Sequence, residues 1–175
     1  MQTFAERGYH AASIDAIARA AGISKPVVYD HFASKADLHL RLLANERDRL
    51  LALTSTSATP AEGFEAFFAY VETHPYAWRM LFRETTGDPA VAREHERILA
   101  EARVGIAHQI ARGGALRGRG ARQRSELLAE GVIGVTHGLA LWWQAHPDVP
   151  RRDIVRAATD LLVPGLESLA SPARR

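Results

Sequence analysis

Residues 13–35 read SIDAIARAAGISKPVVYDHFASK, and the stretch divides into two short helices and the start of a third. Ser13 is a good N-cap and Asp15 suits the positive end of a helix, so the first helix begins at Ile14. Gly22 stops it, because glycine takes up the left-handed conformation that closes a helix. Ser24 caps a second helix to about Phe32, with Pro26 tolerated in a first turn whose N–H groups have no helical partner. Ser34, with Asp37 three residues on, forms a capping box that opens a long helix to about Leu53. Ile14, Ile17, Ala18 and Ala21 share one face of the first helix, Val28 and Phe32 answer from the second, and the small alanines permit a close crossing. This order is helix-turn-helix geometry, in which the second helix enters the major groove of DNA.

The side chains fit that use. Ser13 and Ser24 place hydroxyls and first-turn N–H groups where phosphate oxygens dock. Lys25 sets a cation at the start of the reading helix, Tyr29 and His31 donate to phosphates, and Lys35 clamps a phosphate at the next helix start. Pro26 and Val27 offer apolar surface to a thymine methyl. Asp30, acidic on the same helix, is read either as an acceptor for a cytosine amine or as the partner of a nearby cation. By itself, a helix–glycine–helix pattern also fits an ordinary helical hairpin in an enzyme.

Working outward, residues 2–7 read as the last turns of a helix ended by Gly8. Thr54–Thr59 is a polar linker, which divides the chain into residues 1–53 and 54–175. Thr59 and Glu62 form a second capping box around Pro60. Helices then start at Pro60, Pro75 and Asp88 (the last to about 112), followed by a glycine-rich loop at 113–120, a long apolar helix at 122–146 and a final one at 150–169 kinked by Pro164. Strand signals are nearly absent. The expected fold is all-α, with eight or nine helices and no internal repeat.

Composition narrows the function. The 175 residues are 47% hydrophobic, enough for a sizeable core, and contain no cysteine, which removes disulfides, thiolate metal sites and a cysteine nucleophile. Glu6, Arg7, Asp15 and Arg19 interrupt any signal-peptide core, and no run approaches the ~18 apolar residues of a membrane span, so a cytoplasmic location is expected. The net charge is +2, and residues 1–50 hold two lysines and five arginines against six acids. No segment is basic enough for non-specific polyelectrolyte binding, so DNA contact falls to a few placed groups. The eight histidines are scattered, and HExxH, Walker A, GxSxG and GxGxxG motifs are absent. Glu94-His95-Glu96 spreads around a helix and makes a poor metal site. An enzyme, a cofactor and a metal are not expected.

Phe4-Ala5-Glu6-Arg7-Gly8-Tyr9, then Ser13-Ile14-Asp15-Ala16-Ile17-Ala18, then Gly22 through Phe32, then Ser34-Lys35, together resemble the N-terminal domain of the TetR/AcrR (tetracycline-repressor-like) family over residues 4–50. The resemblance implies a nine-helix all-α fold: an N-terminal three-helix DNA-binding domain, then a C-terminal domain that binds a small effector and forms a homodimer, effector binding releasing DNA. By position it assigns DNA contacts to Ser13, Lys25, Pro26, Val27, Tyr29, His31 and Lys35, with Val28 and Phe32 in the core. Family members carry a longer first helix, often preceded by a basic arm, whereas residues 1–7 are all that precede Gly8 here.

Two further sets lie in the second half. Phe67, Phe68, Trp78, Leu81 and Phe82 are candidates to line an effector pocket, with Glu84, His108 or Gln109 as polar groups; plain core packing is the alternative for each. Gly131, Gly134 and Gly138 suggest a close helix approach, since each costs about 1 kcal/mol against alanine inside a helix. With Leu139, Trp142, Leu161, Leu162 and Leu166 they propose a four-helix dimer interface. Trp142 and Trp143 point about 100° apart, one toward the core and one toward the interface. The arginines at 112, 117, 119, 122 and 124 are read as a solvated loop. The expected function is a transcriptional regulator, a repressor released from double-stranded operator DNA by a small hydrophobic effector, with no membrane partner. A small-molecule-binding module without DNA binding and a helical enzyme are the alternatives.

Overall fold

The computed structural model describes residues 1–55, 57–82, 88–112 and 120–170. Among them are nine helices and no strand: α1 (Gln2–Ala11), α2 (Ile14–Ala20), α3 (Lys25–His31), α4 (Lys35–Ser55), α5 (Pro60–Thr73), α6 (Pro75–Phe82), α7 (Pro89–Arg112), α8 (Ala121–Ala145) and α9 (Arg151–Ala170). The glycine-rich loop expected at 113–120 lies, except for Gly120, outside the described residues.

The chain packs as two compact units, Met1–Leu50 with His74–Ile98, and Leu51–Thr73 with Leu99–Arg175. A single cut at 54–59 does not reproduce this grouping, because α6 packs on α1 through apolar residues that sequence spacing alone assigned to the C-terminal half.

In the first unit, Phe4, Ala5, Ile14, Ala18, Val28, Leu38, Leu43, Trp78, Leu81 and Val91 form the core. Gly8 (φ 75, ψ 168) breaks α1, and one further turn is closed by the Ala12 N–H donating to the Gly8 carbonyl at 3.2 Å. The end of α1 at Ala11 leaves carbonyls without helical partners, and a cation answers them. Lys35 Nζ donates to the carbonyls of Tyr9 (2.9 Å), His10 (3.3 Å) and Ala12 (3.1 Å) and sits 4.5 Å from the Tyr9 ring centroid. Tyr9 Oη donates to Asp88 at 3.0 Å, while Asp88 caps α7 by accepting from the Ala90 and Val91 N–H groups. Burial, then the Asp88 carboxylate, pushes the Tyr9 phenol up to about 12.

The second unit is built from the contacts of α5 with α9 and α8, and of α8 with α9. α5 begins in the expected capping box: the Glu62 N–H donates to Thr59 Oγ1 at 3.2 Å, and Glu62 Oε2 accepts from the Ala58 and Thr59 N–H groups. Phe64, Phe68, Val71, Ala129, Val132, Ala140, Trp143, Ile154 and Ala158 are buried. Arg151, opening α9, pairs with Glu65 (3.0 Å) and Glu72 on α5. α9 remains helical through Pro164.

Candidate nucleic-acid interface

The turn between α2 and α3 is set by its own residues. Ser13 Oγ accepts from the Ala16 N–H at 3.2 Å and opens α2. At the other end the Ile23 N–H reaches the Ala18 carbonyl (3.0 Å) and the Gly22 N–H reaches that of Arg19 (3.2 Å). This is a Schellman closure, with Gly22 at φ 69 in the left-handed region where a side chain is strained. The chain thus reverses within four residues and presents α3.

α3 is anchored by one residue. Val28 is 3% exposed, whereas Lys25, Pro26, Val27, Tyr29, Asp30 and His31 are all exposed, and Phe32 at the C-cap is half-buried. Val27 and Tyr29 expose 37% and 50% of their surface. Ser24 occupies the N-cap position with extended backbone, but its hydroxyl makes no cap hydrogen bond. Ser13, the N-cap of α2, is likewise exposed. Lys25 Nζ lies 3.2 Å from Asp15 Oδ1, an exposed pair joining α2 to α3 that sequence spacing did not single out. Lys35 is half-buried, its ammonium aimed into the end of α1 as described above.

The candidate effector residues divide between the two compact units. Phe67 and Phe68 meet edge to face at 5.1 Å in the second unit, where Phe68 is fully buried. Trp78 and Leu81 are core residues of the first unit. His108 is exposed and Gln109 half-buried on α7. The side chain of Phe82, and Glu84 altogether, lie outside the described residues.

The α8 set resolves more sharply. Gly131, Gly134 and Gly138 are exposed, and a Cβ built on any of them would meet nothing within 4 Å. The close approach their spacing suggests is therefore not made among the described residues. Leu127 (65% exposed), Leu141 (54%) and Trp142 (48%) continue the same line, and Leu161 (65%) stands on α9. Leu127 and Leu141 were missed by sequence reasoning, although their spacing from the glycines is the helical one. Leu139, Leu162 and Leu166 are half-buried. Of the two tryptophans, Trp143 is the core residue, donating from Nε1 to the Val149 carbonyl at 2.7 Å. Trp142 stacks on His146 at 4.0 Å on the surface. No helix among the described residues is long and apolar enough to cross a membrane.

Comparison with known proteins assigns this arrangement. Residues 1–42 match the family model of bacterial regulatory proteins of the tetR family, and residues 60–165 match the tetracyclin repressor-like C-terminal domain. Over 102 residues the chain is 38% identical to the HTH-type transcriptional activator FasR of Mycolicibacterium smegmatis. That stretch is 53% of this chain and 47% of FasR, so the match spans about half the length of that protein. A TetR-like transcriptional regulator from Rhodococcus sp. RHA1 is similar over 96% of this chain and 87% of its own, at 28% identity and TM-score 0.68. The fatty acid degradation regulator FadR of Bacillus halodurans shares the fold at TM-score 0.71 and 18% identity, over 99% and 95% of the two chains. These are regulators and not enzymes. With both of its segments matched, the chain belongs to the TetR family of bacterial transcriptional regulators.

Proposed function

We propose that this regulator binds a palindromic operator as a homodimer in the cytoplasm, laying α3 of each copy in the major groove, and represses until a small hydrophobic effector releases it. The observation that carries the reading is the exposure of α3, a short helix held by Val28 alone with Lys25, Pro26, Val27, Tyr29 and His31 turned outward. Ser13 and Ser24 at the two helix starts are assigned to phosphates. Lys35 is assigned to positioning the end of α1, with phosphate contact only if it leaves those carbonyls. One short helix reads too few base pairs for specificity, whereas two related by a two-fold axis read half-sites one helical turn, ~34 Å, apart. The apolar line Leu127, Gly131, Gly134, Gly138, Leu141 and Trp142, with Leu161, is the surface proposed to join the copies, and the half-buried Leu139, Leu162 and Leu166 are assigned to its margin.

Residues 1–53 are assigned DNA binding and residues 54–175 effector binding and dimerisation. Within the latter, Phe67 and Phe68 are the proposed effector contacts, supported by their edge-to-face pairing at 5.1 Å. The ligand must bind the DNA-incompetent arrangement more tightly than the competent one, or it shifts nothing. The similarity to FasR, named as an activator, favours a second reading in which the same DNA contacts activate. Mobility shift on the DNA flanking the gene tests the first step, and a reporter driven by that DNA, with and without the regulator, reads the direction. Retardation of one flanking fragment over competitor is expected; none with folded full-length dimer refutes the reading.

A further inference from the structure

α3 carries one carboxylate to which the proposed contacts give no task. Asp30 is exposed and, among the described residues, has neither a hydrogen bond nor an ion pair. Its neighbours differ: Asp15 is paired with Lys25 at 3.2 Å, and Asp37 with Arg41 at 2.9 Å. An unpaired anion on a surface that must approach a polyanion weakens binding unless it finds a donor.

Its position on the helix decides which donor. Val28 points into the core, and at 100° per residue Pro26 and Asp30 lie about 160° and about 200° from it, one turn apart on the outermost line. Lys25 and Tyr29 fall on one flank, Val27 and His31 on the other. A helix in the major groove turns its outermost line to the base edges and its flanks to the two phosphate walls. The groups that donate to phosphate therefore flank the helix, and Asp30 faces the floor. A carboxylate only accepts, and the floor offers two donors, the N4 amine of cytosine and the N6 amine of adenine. Adenine sets its N7 lone pair beside N6, and guanine and thymine present acceptors, so cytosine is the base an unpaired carboxylate selects.

We propose that Asp30 is a specificity-determining residue that accepts a hydrogen bond from the N4 amine of one cytosine in each operator half-site. This rests on α3 being the reading helix. The test is selection from a pool of random duplexes by the full chain and by Asp30→Ala and Asp30→Asn, each first checked for an unchanged thermal melt. The wild type should enrich inverted repeats with cytosine fixed at one position of each half. Replacing that cytosine should weaken binding about five- to a hundredfold. Asp30→Ala should keep the repeat but leave that position degenerate, and Asp30→Asn should turn it to adenine, whose N6 and N7 suit an amide. A wild-type repeat with no fixed cytosine overturns the proposal. So does Asp30→Ala keeping the cytosine preference undiminished, or loss of all binding by both folded variants, which one base contact cannot account for. If the wild type enriches no sequence, the assignment of α3 as the reading helix fails first, and this proposal with it.

Discussion

His39 should make the first unit acid-sensitive over a defined range. Its ring is 1% exposed, wedged edge-on against Phe4 at 4.7 Å and Tyr9 at 5.1 Å, and neither ring nitrogen has a hydrogen-bond partner among the described residues. Burial above all, then the positive potential of His95, the chain's N-terminal ammonium and Lys35, outweighs the pull of Asp88 and lowers its pKa from 6.5 to about 4. Folding therefore favours the neutral ring. As pH falls below 6.5 the unfolded chain takes up a proton that the folded chain refuses until about pH 4. The stability His39 contributes is complete above pH 6.5 and is lost progressively down to about pH 4. A shift of this size corresponds to about 3 kcal/mol, or roughly 6–12 °C in melting temperature for a chain of this length. Thermal melts of wild type and His39→Phe across pH 4 to 7.5 isolate the effect, because every other titrating group is common to both. The variant should gain on the wild type by that amount between pH 7.5 and 4. If the larger ring is not accommodated, an NMR titration of the wild-type His39 imidazole, expected to stay neutral above about pH 5, measures the same quantity. Parallel melting curves, or a ring that titrates near 6.5, would refute the reasoning.

Other expectations follow from the same geometry. Val28→Ala removes the one buried residue of α3 and should cost about 2 kcal/mol in denaturant melts; a change under half that would mean α3 is held elsewhere. Trp143→Ala should destabilise the second unit by about 3–5 kcal/mol, whereas Trp142→Ala should leave the melt nearly unchanged and weaken self-association. Leu127→Glu with Leu141→Glu should give a folded monomer by light scattering, with specific DNA binding lost; a dimer of undiminished strength places the interface elsewhere. Lys35→Met should cost about 1–3 kcal/mol through the carbonyls it leaves, seen as a lower denaturation midpoint.

What the sequence made legible is what neighbouring residues settle among themselves. The Ser13 cap, the Gly22 closure and the Ser34 and Glu62 capping boxes each depend on partners a few residues away, and the structure has them where the spacing put them; at Gly8, where the spacing ended the first helix, the structure has a break followed by one more turn. Ser24 is the local exception, since it holds the N-cap place without using its hydroxyl. Features closed over distance were not legible. The Tyr9–Asp88 bond spans 79 residues, and nothing near either residue announces it. The packing of α6 on α1 is of the same kind: Trp78 and Leu81 are apolar at helical spacing, which says that they are buried and not against what. The α8 glycines show the limit from the other side. Their period suggests a close helix approach, while only coordinates could show that no other part of the described chain makes it.

The same division bears on how the interface works. Sequence reading counted Lys25 and Lys35 alike as DNA contacts, because an identity carries no record of what it already touches. In the free protein both ammonium groups are engaged, and to unequal degree. The Lys25–Asp15 pair is exposed on both sides, so it contributes at most about 1 kcal/mol and yields readily to a phosphate. Lys35 donates to three main-chain carbonyls beside an aromatic face, and leaving them uncovers the broken end of α1. On the proposed reading, DNA binding is expected to exchange the first of these partners and to spare the second. The slope of binding against salt should fall by about 1 when Lys25 is neutralised. It should hardly move when Lys35 is, even though Lys35→Met lowers affinity through the fold.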